Sequence, residues 1–94
     1  MGDNWPFKDE RELPVLTTNE VLRGTSPIMY VSHDQDDGCW QFFGKSGADE
    51  AQVKVVTLEE IFSLDPSIGQ LSDLPLGWGA ERESHDDEWV RTEN

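Results

Sequence analysis

The sequence predicts an α+β domain: a small, mostly antiparallel sheet of about four to five strands, one main helix packed on one face, and a short N-terminal helix. Three observations carry that expectation. Between Ile28 and Phe43, two apolar, aromatic and β-branched runs flank an acidic, glycine-ended turn, which is the pattern of a β-hairpin. Thr57-Leu-Glu-Glu60 is a capping box followed by apolar residues at helical spacing. Gly77 to Thr92 then repeats the strand, acidic turn and strand pattern.

In chain order, residues 1–14 mix charges with Trp5, Pro6 and Phe7 and show no period, so they are expected to form a flexible arm ahead of a single domain over residues 15–94. Trp5 and Phe7 are the side chains that could pin this arm to the domain. Leu13 to Leu16 suggests a short extended piece. Thr17-Thr-Asn-Glu20 offers an N-cap with an acid in the first turn, and Gly24 a stop, so a short helix is expected there. The hairpin strands are Ile28–Ser32 and Cys39–Phe43. Neither has a fully polar face, which predicts a central position or cover on both sides. Gly44 to Glu50 reads as a loop, and Gln52 to Val56 alternates into a third strand.

Leu58, Ile61 and Phe62 give the main helix its core face. Pro66 disfavours helix at Asp65, and Asp65-Pro-Ser can cap a further short turn. Gly77 to Glu83 reads as a fourth strand, with Trp78, Ala80 and Arg82 on one face. Trp89 to Thr92 is a fifth strand or an extended tail.

Composition narrows the range of functions. The 94 residues suit one domain, and 35% hydrophobic content is low for a core, partly offset by four Trp and four Phe. A formal net charge of −13 disfavours nucleic acid and anionic lipid and favours a basic protein partner, although a negative surface also simply keeps a protein in solution. One cysteine excludes an internal disulfide framework and suits a reducing compartment. No run approaches a membrane span, the N-terminus lacks the pattern of a signal peptide, and Pro6 stands where a myristoylation signal needs Ser or Thr. The expected location is the cytoplasm. Oligomeric state is not legible.

The candidate chemistry is thin. His33, Asp34, Asp36 and Asp37 tempt a calcium reading, but counting from Asp34 the glycine comes one residue early, at Gly38, and the twelfth position is Lys45. Asp-Asp-Gly closing a hairpin is the better account. His-Asp recurs at His85-Asp86. Only if the two hairpins lay side by side could His33, His85 and their aspartates serve a metal site or a small hydrolase. Cys39 could act as a nucleophile only with a nearby base, and a lone Cys in a strand is more often a small buried hydrophobe. Gly77-Trp-Gly79 is too short for a phosphate loop. No cofactor, metal or catalytic set is expected, and an enzyme is not the favoured reading. Trp40 reads as core. Trp78 and Trp89 could stack on each other or pack on Arg82 or Arg91, in a thin core or at a partner surface.

Several segments carry a resemblance: Gly38 to Phe43 (Gly-Cys-Trp-Gln-Phe-Phe), Val55 to Ile61, Asp65 to Ile68, and Leu74 to Arg82 followed by Trp89. Together they resemble a family of small, uncharacterised bacterial proteins, over about residues 28–91. The chain is also similar in style to small immunity proteins of bacterial toxin systems. The resemblance implies a bacterial source and this fold class, and it assigns no residue a role. The expectation is therefore a non-enzymatic acidic interaction module, of immunity type, directed at a basic partner. Its candidate contact residues are Asp34, Asp36 and Asp37 on the first turn and Asp86, Asp87, Glu88 and Trp89 on the second. The alternative is the hydrolase or metal-binding domain built on His33 and His85.

Overall fold

The computed structural model describes residues 5–45 and 53–93. Strand β1 (Pro14–Thr18) runs into helix α1 (Asn19–Leu22), and strands β2 (Tyr30–His33) and β3 (Trp40–Phe43) form the first hairpin. Strand β4 (Val53–Thr57) leads into helix α2 (Leu58–Leu64) and a 3-10 helix (Pro66–Leu71). Strands β5 (Trp78–Glu81) and β6 (Val90–Glu93) close the chain. The fold is α+β. From residue 46 on, the expected loop at 44–50 lies outside the described residues.

The sheet has six strands in the order β4-β1-β3-β2-β5-β6. Four of its five pairings are antiparallel, as expected, and one is parallel: β1 lies along β3, with Leu16 opposite Gln41. The six strands correct the expected count of four to five. The piece expected only as extended chain is an interior strand, paired on its other side antiparallel to β4 from Pro14↔Thr57 to Thr18↔Val53. Its alternation of buried Val15 and Thr17 with half-exposed Leu16 is too short, and too polar in its threonines, to stand out as a strand by pattern alone. The hairpin strands β2 and β3 do occupy the middle of the sheet, as their lack of a polar face implied.

Strand alternation divides the side chains between two faces. One face carries Val15, Val31, Trp40, Phe42 and Ala80, all nearly solvent-free, and is covered by Leu58 and Ile61 of α2 and Ile68 and Leu71 of the 3-10 helix. Thr57 caps α2 through the Glu60 amide (3.2 Å), while the Glu60 carboxylate lies against the Thr57 hydroxyl (3.4 Å). The first half of the capping box thus forms as expected. At α1 the expected cap is not made. Thr18 occupies the N-cap position without a side-chain cap bond, and the Thr17 and Thr18 hydroxyls are buried with no partner among the described residues.

The described part of the expected arm is packed. Phe7 is buried in the core and meets Trp40 edge-on at 5.5 Å, and Trp5 meets Phe7 and Phe62 at the same distance. Asp9 ties the segment down: its backbone carbonyl accepts from Trp5 Nε1 (2.8 Å) and its carboxylate from Trp40 Nε1 (2.9 Å). The physical reason is economy of apolar surface. A 94-residue chain that is 35% hydrophobic has few side chains to spare, and two aromatics from the N-terminus finish the core.

The opposite face carries Leu16, Gln41, Ser32, Tyr30 and Phe43, with Val55 at one edge 66% exposed and Val90 at the other 59% exposed. Phe43 is buried there and stacks parallel to Tyr30 at 6.4 Å.

Candidate functional site at the second acidic turn

The two acidic turns lie at opposite ends of the sheet. In the β2–β5 register His33 faces Trp78 and Tyr30 faces Glu81, so the turn after β2 leaves one end and the turn after β5 leaves the other. The strands alone put roughly 10 Å between them, at about 3.3 Å per residue. The candidate contact residues therefore form two separate groups, Asp34, Asp36 and Asp37 at one end and Asp86, Asp87, Glu88 and Trp89 at the other.

The same register separates His33 from His85, so the juxtaposition required by the metal-binding or hydrolytic alternative is not formed. His33 Nδ1 donates to the Leu74 carbonyl at 2.8 Å, and its ring stacks on Trp40 at 3.9 Å. His85 is largely exposed and sits 3.5 Å from Asp86 of its own turn. Among the described residues, no group of three or more His, Cys, Asp or Glu side chains is placed to hold a metal ion.

In the turn between β2 and β3 two of the three carboxylates serve the backbone. Asp34 accepts from the Asp36 amide (3.0 Å) and Asp37 from the Cys39 amide (2.9 Å). Gly38 closes the turn at φ +72°, a conformation that a residue bearing Cβ adopts only with strain. These are the local Asx bonds that make Asp a turn former. Burial, followed by the Asp37 and Asp34 charges, pushes the Cys39 thiol above its ordinary pKa, which disfavours the nucleophilic thiolate.

The turn between β5 and β6 is built differently. Glu81, Glu83, Asp86, Asp87 and Glu88 rim an open depression of about 670 Å³ whose floor is Arg82 and whose apolar wall is Val90. Asp86 has only His85 beside it, and the other four carboxylates make no hydrogen bond or ion pair among the described residues. The cation at the floor is committed elsewhere. Arg82 Nη2 binds Asp65 (2.8 Å), Nε binds the Ile28 carbonyl (2.9 Å), and Nη1 reaches Ser67 Oγ (3.1 Å) and the His85 carbonyl (3.3 Å). Trp89 lies over the guanidinium, with 4.1 Å from the carbon to the ring centroid. This aromatic face thus stacks on the protein's own arginine.

Asp65 holds this assembly together. It caps the 3-10 helix through the Ser67 amide (3.0 Å), as its place before Pro66 predicted, and its other oxygen takes Arg82. Sequence reasoning missed the Arg82–Asp65 pair, together with Glu81 and Glu83 on the rim. The available signal was an arginine in phase with Trp78 and Ala80 on a core-facing strand, where a charge needs a buried partner. Strand β6 is held from the side: Arg91 donates to the Gln70 carbonyl (2.7 Å) and pairs with Asp73 (2.8 Å), which lowers the Asp73 carboxyl pKa.

No family model, curated protein or solved structure matches this chain. Among the described residues, no helix is long and apolar enough to cross a membrane.

Proposed function

We propose that the protein is a non-enzymatic acidic module of a bacterial cytoplasm that binds a basic protein at its second acidic turn, in the manner of an immunity-type inhibitor. The observation that carries this reading is the depression rimmed by Glu81, Glu83, Asp86, Asp87 and Glu88, four of which have no counter-charge among the described residues, above an arginine already committed to Asp65. Uncompensated carboxylates converging on one concavity raise the local potential and the on-rate for a cationic partner. Supporting it are the net charge of −13 and the style of the sequence, which is similar to small immunity proteins. The first acidic turn has a smaller part, because Asp34 and Asp37 hold its backbone.

Titration with a short oligolysine peptide tests the site whatever the identity of the natural partner. Neutralising Glu81, Glu83, Asp86, Asp87 and Glu88 to their amides is expected to weaken binding at least about tenfold, and raising salt to weaken it in the unchanged protein. Neutralising Asp34, Asp36 and Asp37 is expected to change it by less than about twofold. Equal effects from the two sets, or affinity indifferent to salt, would refute the assignment.

A further inference from the structure

The two outer strands of the sheet differ in what they offer a neighbour. Strand β6 carries Arg91 and Glu93, charges that blunt an open edge. Strand β4, Val-Lys-Val-Val-Thr, is almost wholly β-branched, with Val55 among the most exposed apolar side chains of the molecule. Its residues are those of a strand interior placed at an edge.

The register shows which backbone groups β4 leaves open. The Leu58 amide donates to the Leu13 carbonyl at 2.9 Å, which extends the β1–β4 ladder by one rung and marks that rung as hydrogen-bonded. Antiparallel rungs alternate, so Val15↔Val56 and Thr17↔Lys54 are also hydrogen-bonded, and Leu16↔Val55 and Thr18↔Val53 are not. The N–H and C=O of Val53 and Val55 therefore point outward, and among the described residues nothing pairs with them.

We propose that this edge is a self-association site, where β4 of a second copy pairs antiparallel about a two-fold axis at Val55. The sequence of β4 is self-complementary in that register. Val55 faces Val55, Val53 faces Thr57, and Lys54 faces Val56. The neighbouring register, with Val53 opposite Val55, would set Lys54 against Lys54, a like-charge pair that is unfavourable. The chosen register also brings each Lys54 toward the start of the other copy's α2, where Glu60 carries a complementary charge, Glu59 being already paired with Arg11 at 2.7 Å. Of the six strands, β4 alone has a net positive charge, so two copies of a −13 chain repel least there. A five-residue edge buries less than the roughly 800 Å² per partner of a standard stable interface, so the dimer is weak and concentration-dependent. The second acidic turn, beside β5 and β6 on the far side of the sheet, stays open in such a dimer.

Sedimentation equilibrium of the full chain up to about 1 mM, at roughly 50 mM and 500 mM NaCl, tests this. The expected result is a monomer–dimer equilibrium that salt strengthens, because screening relieves the repulsion of two acidic bodies. This is opposite in sign to the salt effect on basic-partner binding. Val55→Lys and, separately, Val55→Pro are expected to weaken dimerisation at least tenfold with unchanged circular dichroism. The proline removes only an outward N–H and leaves the β1 ladder intact. A chain that stays monomeric at the highest concentration and salt overturns the proposal and leaves the edge to a strand of some other protein. A dimer indifferent to both substitutions overturns it as well.

Discussion

The two acidic turns have similar compositions and opposite constructions. In the β2–β3 turn Asp34 and Asp37 bind amides two residues along the chain and Gly38 takes the left-handed position, so two of the three acids serve the bend itself. In the β5–β6 turn, among the described residues, four of the five carboxylates make no hydrogen bond or ion pair, and the bend is held by Arg82, whose partners lie at the 3-10 helix and at the entry to β2. Negative charge in a loop is therefore uninformative until one knows what the oxygens accept. Where they accept amides they are structural, and where they accept nothing they are available to a partner.

The comparison is most severely tested at Asp65, which lies outside both turns. Asp65→Ala leaves the Arg82 guanidinium buried without its counter-ion, and a stability loss of about 3–5 kcal/mol is expected in urea denaturation. Loss below about 1 kcal/mol would mean the second turn is not held by this pair. Next in size, Asp37→Ala removes the bond to the Cys39 amide and is expected to cost about 1 kcal/mol. Asp87→Ala, by contrast, is expected to stay within about 0.5 kcal/mol in the same measurement. Reversal of that order would abolish the distinction between the turns. The smallest effect concerns Cys39. Its raised pKa predicts slow alkylation at neutral pH, rising with pH only above the range of a free thiol. Asp37→Asn keeps an acceptor for the Cys39 amide while removing the charge that disfavours thiolate. The alkylation rate is expected to rise by about twofold.

Local signals proved sufficient where a few neighbouring residues decide the structure. The cap of α2 at Thr57, the stop at Asp65-Pro66 and the glycine closing the first hairpin are interactions over two to four positions, and all were legible. What the sequence hid depends on distant partners. The parallel pairing of β1 with β3 leaves no local mark, because nothing in Pro14–Thr18 reveals which strand will lie beside it. Trp5 and Phe7 show no period, so their place in the core follows only from the cavity that Trp40 and Phe62 leave for them. At the candidate site, Asp86, Asp87 and Glu88 were visible as a charge run. For Trp89, packing on Arg82 was one expected outcome beside an anchor at a partner surface, and the ring lies over the Arg82 guanidinium, because an arginine buried in a β-strand sets the surroundings of its neighbours.

The interior position of β1 has a consequence for how the molecule forms. Only the β2–β3 and β5–β6 hairpins join near neighbours in the chain. Leu16 must meet Val55, and Tyr30 must meet Glu81, before the sheet is complete. Loop-closure entropy is spent on every such rung before the contact returns anything, so folding is expected on the millisecond-to-second scale rather than in microseconds. A single microsecond phase in stopped-flow or temperature-jump fluorescence of the tryptophans would contradict this. On the ribosome, β1 is made among the first strands, yet its antiparallel partner β4 emerges only after the β2–β3 hairpin. Until then the nascent chain presents β1 with one flank unpaired.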